Sequence, residues 1–258
     1  MRRCHLLEII DQPWCPEPIR DAVTDYLQHV IHTMNTYGQI TPHLVSALRH
    51  TAANQIVDLC SGGGGPWVRL QEEFKRQQIP VEVCLTDLYV NTEALQRIET
   101  TDNGIRFHPH PVNAMQMPDE LNGFRTLFSS FHHFKPEQAQ AILRDAVNSR
   151  RGIGIFEATK RHPAALLAIL LTPLLVWIVT PRIRPFRWSR LLWTYLIPVV
   201  PFVVLFDGIV SCLRTYSPAE LAEFTKEFAE SGYQWQIGEV KAAGTPLPVT
   251  YLIGYPQT

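Results

Sequence analysis

The chain has 258 residues, 46% of them apolar, enough for one large α/β domain or one domain carrying an insertion. Its 23 Lys and Arg against 24 Asp and Glu leave a formal charge of -1, which excludes a broad basic surface for nucleic acid. Five scattered cysteines with no C-x-x-C pair argue against a zinc site or a disulfide framework and suit a reducing compartment.

In chain order, residues 1–14 (MRRCHLLEIIDQPW) make a poor signal peptide, because the apolar run is short and acidic. Residues 17–50 read as helical. Ile19, Val23, Tyr26, Leu27, Val30 and Ile31 recur at helical spacing, Gly38 interrupts, and Thr41 with Pro42 is read as the cap and first turn of a second helix. Segments 55–59 (QIVDL) and 81–87 (VEVCLTD) read as strands, each followed by a helix, over 66–75 and 90–99. Further strands are expected in IRFHPHPV, RTLFSS and GIGIFEA, with the helix PEQAQAILRDAVNS before the last. Such β-α-β-α alternation predicts a mostly parallel sheet with helices on both faces. Ser217 and Glu220 form a capping box, Gly232 is read as a helix stop, and YQWQIGEVKA with PVTYLIGYP predicts a closing hairpin.

Residues 57–67, VDLCSGGGGPW, place a glycine-rich turn between a strand and a helix. Such a turn lets a ligand approach the main chain, and an acid ending the next strand, here Asp87, accepts from ribose hydroxyls. A Walker loop would need a lysine that is absent. The dinucleotide pattern would need a third glycine where Trp67 stands.

With these motifs the sequence resembles the class I S-adenosylmethionine-dependent methyltransferases. Asp58, Cys60, Gly62 and Gly64 in DLCSGGG stand at the places of their first motif, with Cys60 replacing a glycine. Asp87 matches the ribose-binding acid, Asn113-Ala114 the adenine contact, and the FSSFHHF stretch the motif after the fourth strand. The resemblance implies a Rossmann-like, seven-stranded, mostly parallel sheet with a C-terminal β-hairpin and a helical apolar insertion. S-adenosylmethionine would lie over the C-terminal strand ends, touched by Asp58, Cys60, Gly62, Gly63, Gly64, Asp87, Leu88, Asn113, Ala114 and Ser129. His132 and His133 are candidate bases, each with local packing as the alternative. Glu157 and Tyr37 are candidate substrate contacts; a salt bridge to Lys160 or Arg161 and a place in the core are the respective alternatives. Trp14 and Trp67 read as core or cover. His108 and His110 lack further ligands nearby, so no metal site is expected.

The implied organisation is an N-terminal helical cap (1–50), a cofactor-binding domain (51–160 and 214–258) and an insertion (161–213). Within the insertion, 164–180 and 191–206 carry no charge, and Arg182, Arg184, Arg187 and Arg190 lie between them. Both runs are shorter than a spanning helix needs and both contain proline. Two full passes would put the arginines on the far side, against the positive-inside tendency. A hairpin lying on or dipping into the membrane, with arginines at the headgroups, is therefore favoured. A two-pass hairpin and a soluble cap over the active site remain alternatives.

The expected activity is methyl transfer to a lipophilic small molecule at the cytoplasmic face of a membrane. If the insertion is a cap, the enzyme is soluble and cytoplasmic. The alternatives in function are a catalytically silent scaffold anchored by its apolar hairpin and a nicotinamide-dependent oxidoreductase.

Overall fold

The computed structural model describes residues 1–90, 96, 98, 104–242 and 247–257. The helix expected over 90–99 lies almost wholly outside them.

Seven strands form one sheet: β1 (Gln55–Leu59), β2 (Glu82–Leu85), β3 (Ile105–Phe107), β4 (Phe124–Phe128), β5 (Ile153–Glu157), β6 (Tyr233–Lys241) and β7 (Pro248–Pro256). Their order is β3-β2-β1-β4-β5-β7-β6. The first five are parallel, while β7 runs antiparallel to both β5 and β6. Every residue of β4 and β5 is buried. That suits central parallel strands covered on both faces, where the polar exceptions Arg125, Thr126 and Glu157 are buried with partners of their own.

One face of the sheet packs on α2 (Thr41–Thr51) and α3 (Trp67–Arg76), through Leu44, Leu48, Trp67, Leu70 and Phe74. The other packs on α4 (Pro136–Asn148) and a later helix, Pro218–Thr225, through Ile142, Leu143, Leu221 and Phe224. The α2 helix thus belongs to the sheet core, whereas α1 (Glu17–Met34) packs mainly on the insertion and adds Ile31 at the edge of that core. Asn35 ends α1 with φ 51°, and the Asn35 and Thr36 N–H groups donate back to His32 and Ile31. Two local expectations are corrected. Thr41 is the first helical residue rather than a cap, since the chain is already helical at Ile40. Gly232, with φ 66°, lies past a 3₁₀ turn (Lys226–Phe228) and leads into β6 rather than capping the helix. The Ser217–Glu220 capping box forms as read.

The insertion contains α5 (Pro163–Ile169), α6 (Thr172–Val179), a short α7 (Trp188–Leu191) with a π turn (Leu192–Leu196), and α8 (Val199–Arg214). The helix after it, Pro218–Thr225, is α9. Against the expectation that both runs are too short, residues Pro163–Arg182 form one helical run of 20 residues, long and apolar enough to cross a membrane, because the helix extends past the uncharged stretch at each end. The α7–π segment and α8 meet at a 76° bend. One side of this bundle packs on α1, where Val176, Ile183, Val200, Val203 and Val204 meet Ile19, Val23 and Tyr26. On the run from α5 into α6, Leu167, Leu171, Leu174 and Ile178 share one helical face, and each is more than half exposed. Trp188, Leu196 and Phe202 are exposed as well. Isolated exposed leucines are ordinary, but a stripe of this extent on a monomer marks a contact surface.

The arginines between the apolar runs do not form one outward cluster. Arg190 is buried and paired with buried Asp25 of α1, and it also donates to the Ile183 and Pro185 carbonyls. Arg187 pairs with Asp21 at 3.7 Å. The tip of the insertion is therefore fastened to α1. Arg190→Met would leave Asp25 buried without this cation, at a cost of about 3–5 kcal/mol. Urea denaturation should show that loss, and an unchanged midpoint would contradict the anchoring role.

Candidate active site

β1 ends at Leu59 and the chain turns at once into the glycine loop. Cys60, Gly62, Gly64 and Gly65 all have positive φ, at 57°, 55°, 99° and 51°. Cys60 thus takes a left-handed conformation where the family pattern has glycine, a strain that the surroundings must hold. At Gly64 a side chain would be strained by the φ of 99° and would have to displace the Ile98 side chain, whose Cδ1 lies 2.2 Å from where a Cβ would stand. At Gly63 a Cβ would press on Gln28 Oε1 and Thr24 Cγ2, so α1 closes over the loop.

Asp58, at the end of β1, is buried. Thr126 Oγ1 on β4 donates to its Oδ1 at 2.6 Å, and Ser61 Oγ donates to Oδ2 at 2.7 Å. Asp87 follows β2. Its Oδ2 accepts from the Gly62 N–H at 2.7 Å and its Oδ1 from the Tyr89 N–H at 2.8 Å. Burial pushes the Asp58 carboxyl up to about 7 and raises Asp87 too. Neither makes an ion pair with a Lys or Arg among the described residues. Two carboxylates on either side of a glycine loop, both raised by desolvation and neither ion-paired with a Lys or Arg among the described residues, form a site that favours a positively charged ligand.

The other expected cofactor contacts are scattered around this loop. Leu88 is half exposed and Cys60 partly buried beside Ala114, which is buried. Asn113 is exposed and its Oδ1 accepts from the Met115 N–H at 3.0 Å, a local turn. Ser129, at the end of β4, has φ 45° and shares a 2.7 Å hydrogen bond with the Tyr37 hydroxyl. Tyr37 itself is 1% exposed and packs edge-on against Phe128. Its phenol is spent within the core, behind the strand ends. Trp67 is fully buried and Trp14 exposed.

Beyond Ser129 the chain forms a 3₁₀ turn, Phe131–His133, against the end of β5. Glu157 organises it. Its Oε1 accepts from the Phe131 and His132 N–H groups at 2.8 and 3.2 Å, and its Oε2 meets His132 Nδ1 at 2.7 Å. Burial works against the Glu157 charge, but His132 and these donors overcome it and hold the carboxyl below its usual value. Lys160 and Arg161 pair with Glu239 and Glu220 instead.

Three residues at this turn were not visible as site residues in the sequence. Glu8 and Asp11 come from the N-terminal segment, and Arg214 from the last turn of α8. Glu8 is buried, with Oε1 3.6 Å from His132 Nε2 and Oε2 3.5 Å from His133 Nδ1. Asp11 Oδ2 lies 2.9 Å from His133 Nδ1. Arg214 Nη1 reaches both Glu8 and Asp11 at 3.2 Å, and its Nε donates to the His132 carbonyl at 3.1 Å. Asp207, also on α8, accepts from the Ile9 and Ile10 N–H groups at 2.7 and 3.1 Å. Burial alone would lower the His133 imidazolium, but Glu8 and Asp11 raise it to about 9. The N-terminal segment and the insertion thus meet directly over the two histidines. The only sequence signal was the pair of acids in an otherwise apolar N-terminal run.

No family model matches the chain, and no curated protein does. Solved structures do match. The plantazolicin methyltransferase BpumL, in complex with S-adenosylhomocysteine, aligns at a TM-score of 0.59 and 8% identity, over 96% of this chain and 94% of that one. The O-methyltransferase NcsB1 from neocarzinostatin biosynthesis, with S-adenosylmethionine and 2-hydroxy-5-methyl naphthoic acid, aligns at 0.52 and 16% identity, over 92% of this chain and 58% of that one. At such identities the likeness establishes the fold. The chain has the α/β fold of these methyltransferases, with the strand order and antiparallel β7 described above.

Proposed function

We propose that this chain, built on the class I methyltransferase fold, is an S-adenosylmethionine-dependent enzyme that methylates a lipophilic small molecule at the cytoplasmic face of a membrane. The observation that carries the reading is the glycine loop between Asp58, which is buried, and Asp87, which is partly buried, neither ion-paired with a Lys or Arg among the described residues. S-adenosylmethionine fits that chemistry: it brings a sulfonium and an ammonium, and its sulfonium activates the methyl group. Asp87 has acceptor capacity left for ribose hydroxyls, and Asp58 with the Gly62–Gly64 backbone is assigned to the amino-acid portion by resemblance. Asn113 and Ala114 are assigned to the adenine side by resemblance. The protein's main task is then to orient the acceptor and exclude water. His133, which is less buried than His132, is assigned to the acceptor side. His132, tied to Glu157, positions the turn.

The insertion supports the lipophilic part of the reading. Its exposed stripe is the kind of surface a bilayer covers, and its α8 helix supplies Arg214 to the histidine turn. The fastening of Arg190 and Arg187 to α1 favours a bundle lying on or dipping into the membrane over two full passes. The test is methyl transfer from S-adenosylmethionine carrying a labelled methyl group to a panel of apolar hydroxylated compounds. Hydroxynaphthoic acids enter because NcsB1 is seen with one. Label moving into an organic-soluble product supports the reading. Label confined to water-soluble acceptors would overturn its lipophilic part.

A pH effect follows from Asp58. Raised to about 7, this carboxyl is largely protonated below that pH and charged above it. A cationic cofactor should therefore bind more tightly as pH rises from about 5.5 to 8.5, releasing protons below 7. The ligand-free fold responds with the opposite sign. A carboxyl raised in the folded state stabilises it most below the unfolded value of about 4, and that contribution is lost as pH rises through 7. Calorimetry in buffers of different ionisation enthalpy checks the first effect, and Asp58→Asn should flatten both. A pH-independent affinity in the wild type would contradict the assignment.

A further inference from the structure

We propose that Glu8, His132 and His133 form a binding site for one divalent first-row transition metal ion. Their three donor atoms lie within 4.8 Å of one another. Glu8 stands 3.6 Å from His132 Nε2 and 3.5 Å from His133 Nδ1. A tetrahedral ion about 2.1 Å from each donor requires donor separations of about 3.4 Å. His132 faces Oε1 and His133 faces Oε2. The Oε2–His133 separation is already near the required value, and a rotation of the carboxylate and closure of the rings would bring His132 Nε2, within 4.8 Å, to the same ion.

A second observation points the same way. His132 is 2% exposed, and its Nε2 is buried with no hydrogen-bond partner. Leaving a buried ring nitrogen unused is costly, and such groups call for a specific explanation. The opposite nitrogen, Nδ1, meets Glu157 at 2.7 Å. A carboxylate that fixes one ring nitrogen while the other faces a donor cluster is how metal-binding imidazoles are oriented. Glu157 thereby acts as a positioning residue, and the Phe131 and His132 N–H groups hold its own place.

Charge completes the case. Glu8, Asp11 and Glu157 surround the two imidazoles, and among the described residues Arg214 is the Lys or Arg side chain paired with these carboxylates, through Glu8 and Asp11. With neutral imidazoles the cluster lacks two positive charges, which one divalent ion supplies. Arg214 at 3.2 Å and Ser211 Oγ at 3.1 Å hold Glu8 Oε1, which leaves Oε2 for the ion. The ion would replace the proton that His133 Nδ1 shares with Asp11, and Asp11 would keep its contact with Arg214. Two imidazoles and one carboxylate suit Zn²⁺, Co²⁺, Fe²⁺ or Mn²⁺ better than Mg²⁺ or Ca²⁺, which prefer all-oxygen sites. Three protein ligands leave a fourth position open. In the enzyme proposed above, and resting on that reading, an acceptor hydroxyl or enol oxygen would take it, with its acidity increased by the ion. The site reverses the expectation of no metal. That expectation weighed the cysteine spacing and the neighbouring His108 and His110, and the carboxylate ligand lies far away in the sequence.

The full chain, stripped with chelator and dialysed, is titrated with Co²⁺ while visible absorption and heat are followed. S-adenosylhomocysteine is titrated into the same preparations. The expected result is one Co²⁺ per chain with absorption bands of a low-coordinate N/O site. Binding should weaken by roughly 100-fold or more in Glu8→Gln and His132→Asn, and by about 10-fold in Glu157→Gln, which keeps all three ligands. Mg²⁺ should compete poorly. A wild-type chain that takes up no Co²⁺ overturns the site, as do ligand variants that bind it as tightly as the wild type. Co²⁺ uptake without S-adenosylhomocysteine binding would instead overturn the methyltransferase reading and leave the metal site standing.

Discussion

Asp87→Ala is expected to weaken S-adenosylhomocysteine binding by roughly 100-fold or more. A carboxylate that accepts from two ribose hydroxyls contributes about 1.5–3 kcal/mol per hydrogen bond, so its removal costs at least about 3 kcal/mol. Here the loss is compounded, because Asp87 also holds the Gly62 and Tyr89 N–H groups and so sets the glycine loop. Asp87→Asn should fall between, since an amide oxygen can still accept one of these bonds while its NH₂ cannot. Calorimetry on variants whose melting shows them folded makes the comparison. A folded Asp87→Ala chain with wild-type affinity would remove Asp87 from the cofactor site.

The second large effect concerns the apolar stripe. Changing Leu167, Leu171, Leu174 and Ile178 together to Gln should reduce binding to anionic vesicles by roughly 1000-fold or more. Burying a leucine or isoleucine side chain is worth about 1.5–3 kcal/mol, and each of the four is now more than half exposed to water. For the same reason the substitutions should cost the fold little. Flotation of wild type and variant with vesicles reads the difference. A wild-type chain that is monodisperse without detergent and stays off vesicles would contradict the membrane reading. The insertion would then be a cap on a soluble enzyme.

These two regions also divide what the sequence discloses from what it does not. The sheet was legible because its signals are local. β4 and β5 read as short strands rich in Phe, Leu and Ile between turn residues, and the glycine loop, Asp58 and Asp87 sit at the junctions that the strand–turn–helix pattern marks. The closing hairpin and the Ser217–Glu220 box were legible for the same reason. The histidine turn was legible only in part. His132 and His133 stand where the family motif places them, but their partners do not follow from spacing. Glu8 meets Arg214 across 206 positions of chain, and Asp11 meets His133 across 122. No periodicity or short motif encodes such a contact. It exists because α8 returns from the insertion to the strand ends and the N-terminal segment is tied to it through Asp207.

Two arginines of the insertion show the same limit in reverse. Four arginines between apolar runs read as a headgroup-facing cluster. Yet Arg190 and Arg187 turn inward, because α1 presents Asp25 and Asp21 to them. Tyr37 was weighed as a substrate contact because a tyrosine before the first strand can face the cofactor. Its hydroxyl instead meets Ser129, whose left-handed backbone no propensity would have indicated. In each case a side chain's chemistry was readable and its direction was not, since direction is set by elements distant in the chain.

The central claim is that the glycine loop between Asp58 and Asp87 binds S-adenosylmethionine. Isothermal titration of the purified full chain, in detergent, with S-adenosylhomocysteine and in parallel with NADH tests it most directly. The account predicts one site for S-adenosylhomocysteine and no measurable binding of NADH. Binding of NADH alone, or of neither ligand to a folded chain, would contradict it.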